Sequence, residues 1–186
     1  MADSIDERLL IEQFKAGDQA AFDKLIQRHC TEVAAMANRL LGWPGEVEDV
    51  VQDIFLAAYV SLRRFRCECS LRTWLFTITV NKCRRYRYKR LIHLDRLWKG
   101  RDRAAAEADR SAVNAETFDR LRNAISRLPA KYREAIVLRY LQELSTDQIT
   151  QMLAITANAL QVRLNRARQL LKQKLGDVLQ DELMED

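Results

Sequence analysis

The chain has 186 residues, of which 48% are hydrophobic, and it contains only five Gly and two Pro. This composition provides enough apolar material for a folded core but few residues that end helices or form turns, so we expect a mainly helical protein. No apolar run reaches the roughly 18 residues that a membrane span requires, and the acidic N-terminus is unlike a signal peptide. A cytoplasmic protein without membrane insertion is therefore expected.

The basic residues are concentrated in one part of the chain. The formal net charge is +5, yet residues 82–103 alone hold ten Lys and Arg against two Asp, a net of +8, which leaves −3 for the remainder. Such a concentration favours a polyanionic partner, since Lys and Arg that neutralise phosphates release counterions. A basic face that is merely solvated is the alternative.

The N-terminal half shows helical periodicity in four segments, separated by glycines and by an aperiodic loop at residues 63–70. Helices are expected at residues 5–15, from an Asp18 cap to residue 40, at about 46–62, and from 71 to 89 or beyond. The third of these exposes an acidic strip on an otherwise basic protein. Carboxylates in the first turn of a helix complement its dipole. This explains the acidic residues at positions 46–49 but not Asp53, which lies further along the helix.

The four cysteines include one close pair, in Cys67-Glu68-Cys69. Together with Cys83 and His93 this pair could in principle bind zinc, but its C-x-C spacing is not that of a common structural site. A redox-sensitive pair and incidental reduced thiols are the other interpretations. We expect no metal and no cofactor.

The second half begins with a change of composition. From about residue 94 to 115 the periodicity gives way to charge and alanine, which predicts a linker, in part helical. Periodicity returns at residues 118–128, and Pro129 begins a helix that leads to residue 141. We therefore predict an all-α fold of two small helical domains, at residues 1–93 and 116–186, joined by a flexible linker at residues 94–115.

Residues 145–175 have the pattern of a helix-turn-helix. Ser145 is suited to cap the first helix, and Gln148 completes a capping box. The three residues that follow the first helix, Ala154 to Thr156, are enough only for a turn. Thr156 is suited to cap the second helix. Such turns often use Gly for a left-handed residue. Because this turn contains no Gly, we expect it to be tighter than the usual turn or different from it in shape.

The second helix of this motif has a polar face suited to DNA. No Asp or Glu occurs from residue 148 to 176. Opposite the apolar face lie Asn158, Gln161, Val162, Asn165, Arg166 and Gln169, with Arg163, Arg168, Lys172 and Lys174 along the flanks. Amide and guanidinium groups can pair with base edges in the major groove while flanking cations meet phosphate. A helical hairpin whose polar face is merely solvated is the alternative.

Four segments together resemble the extracytoplasmic-function class of bacterial sigma factors. They are EVEDVVQDIFLAAYVSLRRF, SLRTWLFTITVNKCRRYRYKR, LPAKYREAIVLRYLQELSTDQITQML and ALQVRLNRAR, in the expected order over nearly the whole chain. The resemblance implies sigma regions 2 and 4 and a protein that is not an enzyme. It implies binding to core RNA polymerase and promoter DNA, assistance in promoter opening, and control by an anti-sigma factor.

The resemblance also implies three contact surfaces. Docking on the clamp-helix coiled coil of the polymerase is assigned to Glu48, Asp49, Gln52, Asp53 and Phe55. Capture of a flipped base and the adjoining backbone of the minus-ten non-template strand is assigned to Phe65, Arg66, Asn81, Lys82, Arg84 and Arg85. At the minus-thirty-five element, Asn158, Gln161, Val162, Asn165 and Arg166 face the bases, while Arg139 and Arg163 are placed for phosphates.

The chain departs from the family pattern at two places that bear on promoter sequence. Family members commonly carry Gly-Asp-Ser or similar where this chain has Cys67-Glu68-Cys69, and Lys or Arg and Ser where it has Gln161-Val162. A stand-alone helix-turn-helix regulator is a second hypothesis, but it would not need the acidic third helix and would normally dimerise. An enzyme acting on nucleic acid is a third, disfavoured by only two His and no phosphate-binding Gly loop.

Overall fold

The computed structural model describes the backbone of residues 2–42, 47–97 and 113–182, and the side chains of residues 6–42, 47–90 and 120–176. Within these ranges every regular element is a helix, which confirms the prediction of an all-α fold. None of the helices in the described ranges combines the length and hydrophobicity that crossing a bilayer requires. The predicted break at residues 43–45 and most of the predicted linker lie outside the described residues.

The chain forms two compact units, at residues 1–86 and 87–186. The helices of the first half are α1 (Ala2–Lys15), α2 (Gln19–Leu41), α3 (Val47–Leu62) and α4 (Leu71–Leu97). Asp18 caps α2 as predicted, because its Oδ1 accepts a hydrogen bond from the Ala20 amide at 2.9 Å. Gly42 ends the same helix in a left-handed conformation, with φ of 68°.

Aromatic contacts fix the orientation of α1, α2 and α3. The rings of Phe14, Phe22 and Tyr59 contact one another with centroids 5.0–5.3 Å apart. Met36 and Ile54 are fully buried in the same unit. Since these contacts commit one side of α3 to the core, the opposite side of the helix faces solvent.

The start of α4 is tied to α2 by a charged pair. Both Nε and Nη2 of Arg72 donate to Oε1 of Glu32, at 2.8 and 2.6 Å. The Arg72 guanidinium also lies 4.6 Å from the centroid of the Phe76 ring, within cation–π distance. The position at which the preceding loop joins α4 is therefore fixed on two sides.

The second half contains α5 (Val113–Ser126), α6 (Ala130–Ile136), α7 (Thr146–Leu153) and α8 (Ala157–Glu182). The helix predicted to follow Pro129 does reach residue 141, but its last five residues, Val137–Leu141, form a π-helical turn. The helix that follows the turn at residue 154 extends past residue 175, to Glu182. Leu138, Leu144, Ile149 and Leu160 are the largest fully buried side chains described in this half.

Candidate nucleic-acid and protein interfaces

The helix-turn-helix has the geometry that its sequence predicts. Ser145 and Gln148 form a reciprocal capping box: Ser145 Oγ accepts from the Gln148 amide at 3.2 Å, and Gln148 Oε1 accepts from the Ser145 amide at 2.9 Å. Thr156 caps α8, since its Oγ1 accepts from the Ala159 amide at 3.1 Å. An α-helix leaves its first four amides without an intrahelical acceptor, and here a side chain accepts from one of them in each helix, the Gln148 amide in α7 and the Ala159 amide in α8.

The turn between α7 and α8 is not the unusual shape that its sequence led us to expect. Ala154 has φ of 54° and ψ of 52°, the left-handed conformation that Gly commonly supplies. The turn therefore keeps the ordinary arrangement, at a steric cost of roughly 1–2 kcal/mol for a residue with a Cβ. The expectation failed because alanine, the smallest residue with a Cβ, can be forced into this region by the packing on either side.

The exposed face of α8 carries the residues predicted to read DNA. Leu160, Leu164 and Ala167 are buried, and this fixes the opposite face toward solvent. The exposed side chains on that face are Asn158, Gln161, Val162, Asn165 and Arg166, and Arg163 is half-buried at its flank. Val162, at 59% exposure, is a large apolar side chain in the middle of a polar face.

Hydrogen bonds along α8 orient part of this face. Asn165 Oδ1 accepts from Arg168 Nη2 at 2.6 Å and from Gln161 Nε2 at 3.4 Å. Arg166 Nη1 donates to Gln169 Oε1 at 3.2 Å. Because its oxygen is engaged within the helix, the Asn165 amide is best suited to donate to an acceptor on a base edge. The sequence pattern did not reveal the positioning role of Arg168.

Arg139 is exposed but has a structural contact. Its Nη1 donates to the carbonyl of Leu144 at 3.0 Å, across the connection between the π-helical turn and α7. Within that connection Glu143 adopts a left-handed conformation, with φ of 54°. Arg139 thus supports the entrance to the helix-turn-helix, in addition to the phosphate contact predicted for it.

Helix α3 presents an exposed strip that we call the α3 strip, formed by Asp49, Gln52, Asp53, Leu56 and Val60. Their spacing of three or four residues places them on one face. Leu56 is 61% exposed and Val60 is 70% exposed, so the acidic start of the strip continues into an apolar end. The prediction from the sequence did not include Leu56 and Val60, although their spacing from Asp53 was a sufficient signal.

Two residues predicted to make contacts are not at the surface. Phe55 is 8% exposed, because it lies on the core side of α3 with Ile54. Phe65 is 7% exposed, and its ring packs on Trp74 with centroids 4.9 Å apart. In this structure both rings support a surface from beneath, and we correct their assignment accordingly. The exposed Glu48 lies beside the α3 strip.

The loop between α3 and α4 is anchored at both ends. Phe65 holds one end, and at the other Ser70 Oγ accepts from the Thr73 amide at 3.1 Å, which caps α4. The part between the anchors, residues 66–69, is here called the loop tip. Arg66 at its start is exposed, and its guanidinium lies 3.9 Å from the Glu68 carboxylate. An ion pair so exposed contributes little to stability.

The predicted strand-binding residues of α4 follow from the same loop. Asn81 and Arg85 are exposed, while Lys82 and Arg84 are half-buried. Asn81 and Arg85 are four residues apart and therefore share a face of the helix. The structure thus places an exposed amide and a cation side by side on α4.

The two cysteines of the loop tip are free thiols. Cys67 is half-buried and Cys69 is exposed. Burial, the Glu68 carboxylate and the neighbouring Cys67 together raise the pKa of the Cys69 thiol. Among the residues whose side chains are described, no group of three or more His, Cys, Asp or Glu lies close enough to hold a metal ion. The side chain of His93, considered above with these cysteines, lies outside that part.

Comparison with known proteins gives consistent matches over both halves of the chain. Residues 25–91 match the family Sigma-70 region 2, and residues 118–171 match the family Sigma-70, region 4. The chain is 31% identical over 179 residues to the ECF RNA polymerase sigma factor SigW of Bacillus subtilis (strain 168), which covers 90% of this chain and 96% of that protein. It is 30% identical over 194 residues to the ECF RNA polymerase sigma-E factor of Escherichia coli (strain K12), covering 96% of this chain and 99% of that protein.

A solved structure is also similar. The structure of CnrH in complex with the cytosolic domain of CnrY matches with a TM-score of 0.66 and 29% sequence identity, over 92% of this chain and 98% of that chain. The chain therefore belongs to the extracytoplasmic-function sigma factors of the sigma-70 family, which confirms the resemblance drawn from its sequence. Sigma factors are transcription regulators rather than enzymes, and this protein acts in transcription initiation.

Proposed function

We propose that this protein docks on core RNA polymerase through the α3 strip, with Glu48 beside it, and directs the enzyme to promoters with two separate elements. Residues 1–93 form the polymerase-docking and minus-ten domain, residues 94–115 the linker, and residues 116–186 the minus-thirty-five domain. The α3 strip carries the proposal: its carboxylates repel phosphate, and its exposed apolar end can be buried against a protein. A regulator that acted on DNA alone would have no use for such a surface.

At the minus-thirty-five element, α8 enters the major groove. Asn165 donates to a base edge, since Arg168 and Gln161 occupy its oxygen. The side chains of Asn158, Gln161 and Arg166 make further polar base contacts, and Val162 contacts a thymine methyl. Arg163 and Arg139 lie where cations meet phosphate, and this positions the helix without specifying sequence.

At the minus-ten element, the loop tip and Asn81 hold a base extruded from the duplex. Extrusion costs a few kcal/mol of stacking and pairing, which a fitted pocket offsets. Arg66, Lys82, Arg84 and Arg85 neutralise the adjoining phosphates of the non-template strand. Phe65 contributes indirectly, because its packing on Trp74 sets the position of the loop.

The setting of this activity is the cytoplasm, where core polymerase and the promoter are found, and we assign the protein no catalytic activity. CnrH, which this chain resembles, was solved with the cytosolic domain of CnrY bound. We propose that an anti-sigma factor holds this protein inactive by covering the surfaces described above. The exposed apolar residues Leu56 and Val60 suit such a contact as well as docking on the polymerase.

Run-off transcription with purified core polymerase on a library of promoter fragments tests the proposal. Initiation that depends on this protein, at sites that share two spaced elements, is the expected result. Asp49→Ala with Asp53→Ala should reduce it by weakening assembly with the polymerase, whereas Asp23→Ala, which removes an exposed carboxylate of α2, should not. Sequence-specific DNA binding without any dependence of initiation on this protein would instead establish a stand-alone regulator.

A further inference from the structure

The loop tip carries two thiols within the segment that we assign to base capture. Cys67 and Cys69 are free and are separated by Glu68 alone. We propose that they form a dithiol site for low-molecular-weight disulfides of the glutathione class, which close it to an intramolecular disulfide, and that closure weakens binding of the minus-ten strand. The chemical half of this proposal stands on the thiols alone, and the second half rests on the proposed function.

The backbone keeps the Cα atoms of the two cysteines within the separation that a disulfide accommodates. Two residues of chain span at most about 7 Å even when extended, and a disulfide accommodates Cα atoms up to roughly 6.8 Å apart. The chain here is not extended, because it bends at residues 68–69 and Cys67 is left-handed, with φ of 57°. The influence of Cys67 on the pKa of Cys69 reflects the same proximity. Closure therefore requires rearrangement of the loop tip alone.

Closure consumes one molecule of the small disulfide. One cysteine thiolate attacks a sulfur of that molecule, forms a mixed disulfide and releases the first small thiolate. The second cysteine thiolate then attacks the protein sulfur of the mixed disulfide, forms the Cys67–Cys69 bond and releases the second small thiolate. The two cysteine protons end on the two released thiols, so the protein loses two electrons and the small disulfide gains them.

The reaction has a defined pH dependence. Cys69 must act once as a thiolate whichever cysteine attacks first. Burial, Glu68 and Cys67 raise the pKa of its thiol, so the reactive form becomes more abundant as pH rises above neutrality. The titratable groups that act on this thiol within the loop are Glu68 and Cys67, and the Arg66 guanidinium lies 3.9 Å from the Glu68 carboxylate. Closure should therefore accelerate with pH over the range in which the fold is retained.

The anchors of the loop confine the effect of closure to the loop tip. Phe65 stays packed on Trp74 and Ser70 continues to cap α4, so only residues 66–69 can rearrange. A ring that joins Cys67 to Cys69 restricts the backbone of the residues that shape the pocket. Because an extruded base is held only by a fitted pocket, we expect strand binding to fall roughly tenfold or more.

Peptide mapping of the full chain tests the chemistry. Cleavage after Arg66 and Arg72 releases residues 67–72, a peptide that contains both thiols and neither Cys30 nor Cys83. After treatment with oxidised glutathione we expect this peptide to lose two hydrogens, in the wild type and in the Cys30→Ser control alike. The Cys67→Ser and Cys69→Ser variants should instead retain one glutathione. Two unmodified thiols, or two bound glutathiones, in the wild-type peptide would overturn the proposal.

The functional half is measured with holoenzyme and a fluorescent single strand that carries the minus-ten element found by transcription. Oxidation should weaken binding by wild type and by Cys30→Ser but not by Cys67→Ser with Cys69→Ser. If the single strand binds equally tightly before and after closure, the proposed effect of closure on strand binding is overturned. Absence of binding by the reduced holoenzyme would count against the proposed strand-capture function instead, so the two failures are distinguishable.

Discussion

The apolar end of the α3 strip supports a quantitative prediction. Leu56 and Val60 are 61% and 70% exposed in the free protein. Each would contribute to binding free energy if an interface buried it. Complete burial of such a side chain is favourable by about 1.5–3 kcal/mol, so the exposed fraction of each leaves roughly 1–2 kcal/mol to be gained in an interface. If the polymerase covers both, replacing them should cost about 2–4 kcal/mol of binding free energy.

The change to make is Leu56→Gln with Val60→Gln, which keeps good helix formers on α3 and adds no charge. A loss of about 2–4 kcal/mol corresponds to a Kd for core polymerase that rises roughly 30- to 800-fold. The assay is a titration of labelled protein with core enzyme at fixed ionic strength. Circular dichroism and the thermal midpoint verify that the fold is unchanged.

A matched control is available on α1. Leu9 is 56% exposed, so Leu9→Gln changes the same chemistry at a similar exposure away from the α3 strip. We expect that variant to bind core polymerase with an unchanged Kd. If the double variant stays folded and binds as tightly as the wild type, the assignment of the α3 strip to docking is refuted.

Three further predictions concern DNA and stability. Arg166→Ala should cost about 1–3 kcal/mol of binding free energy at the minus-thirty-five element and relax its sequence preference. Lys172→Ala should instead weaken binding to all sequences alike. If both variants lose affinity without a change of sequence preference in a competition binding assay, the base contact of Arg166 is contradicted. Asn81→Ala should impair promoter melting, followed by permanganate reactivity, more than closed-complex formation, and an equal loss of both would remove Asn81 from strand capture. Ala154→Gly should raise the free energy of unfolding by about 0.5–1 kcal/mol, because relief of the left-handed strain exceeds the greater chain entropy of Gly. Ala157→Gly, in the first turn of α8, should lower the free energy of unfolding. If urea denaturation shows that both substitutions are destabilising, the strain assigned to Ala154 is contradicted.

The features that the sequence predicted correctly are those governed by local chemistry. The capping box of Ser145 and Gln148, the cap at Asp18 and the amphipathic face of α8 depend on residues within one or two turns of each other. Such patterns can be interpreted without knowing what packs against them. They were sufficient to give the helical fold and the exposed face that we assign to DNA.

The features that the sequence did not predict depend on contacts between distant residues. Phe65 was assigned to strand capture from the family resemblance, but Trp74, nine residues away, offers its ring a packing partner. Phe55 was assigned to docking from a family motif, although the helical spacing of Ile54 and Ala58 puts it on the core side. Ala154 adopts a conformation that its residue type disfavours, because packing on both sides of the turn outweighs local preference.

The different chemistry of α3 and α8 has a consequence for how the protein responds to ionic strength. Contacts of cations with phosphate weaken steeply as salt concentration rises, because the counterions released on binding become costlier to release. An interface that includes Leu56 and Val60 gains part of its free energy from apolar burial, which salt does not screen. As salt concentration rises, the protein should therefore leave promoter DNA before it leaves the polymerase. A rise in the salt concentration of the cell would then reduce promoter binding while the holoenzyme stays assembled.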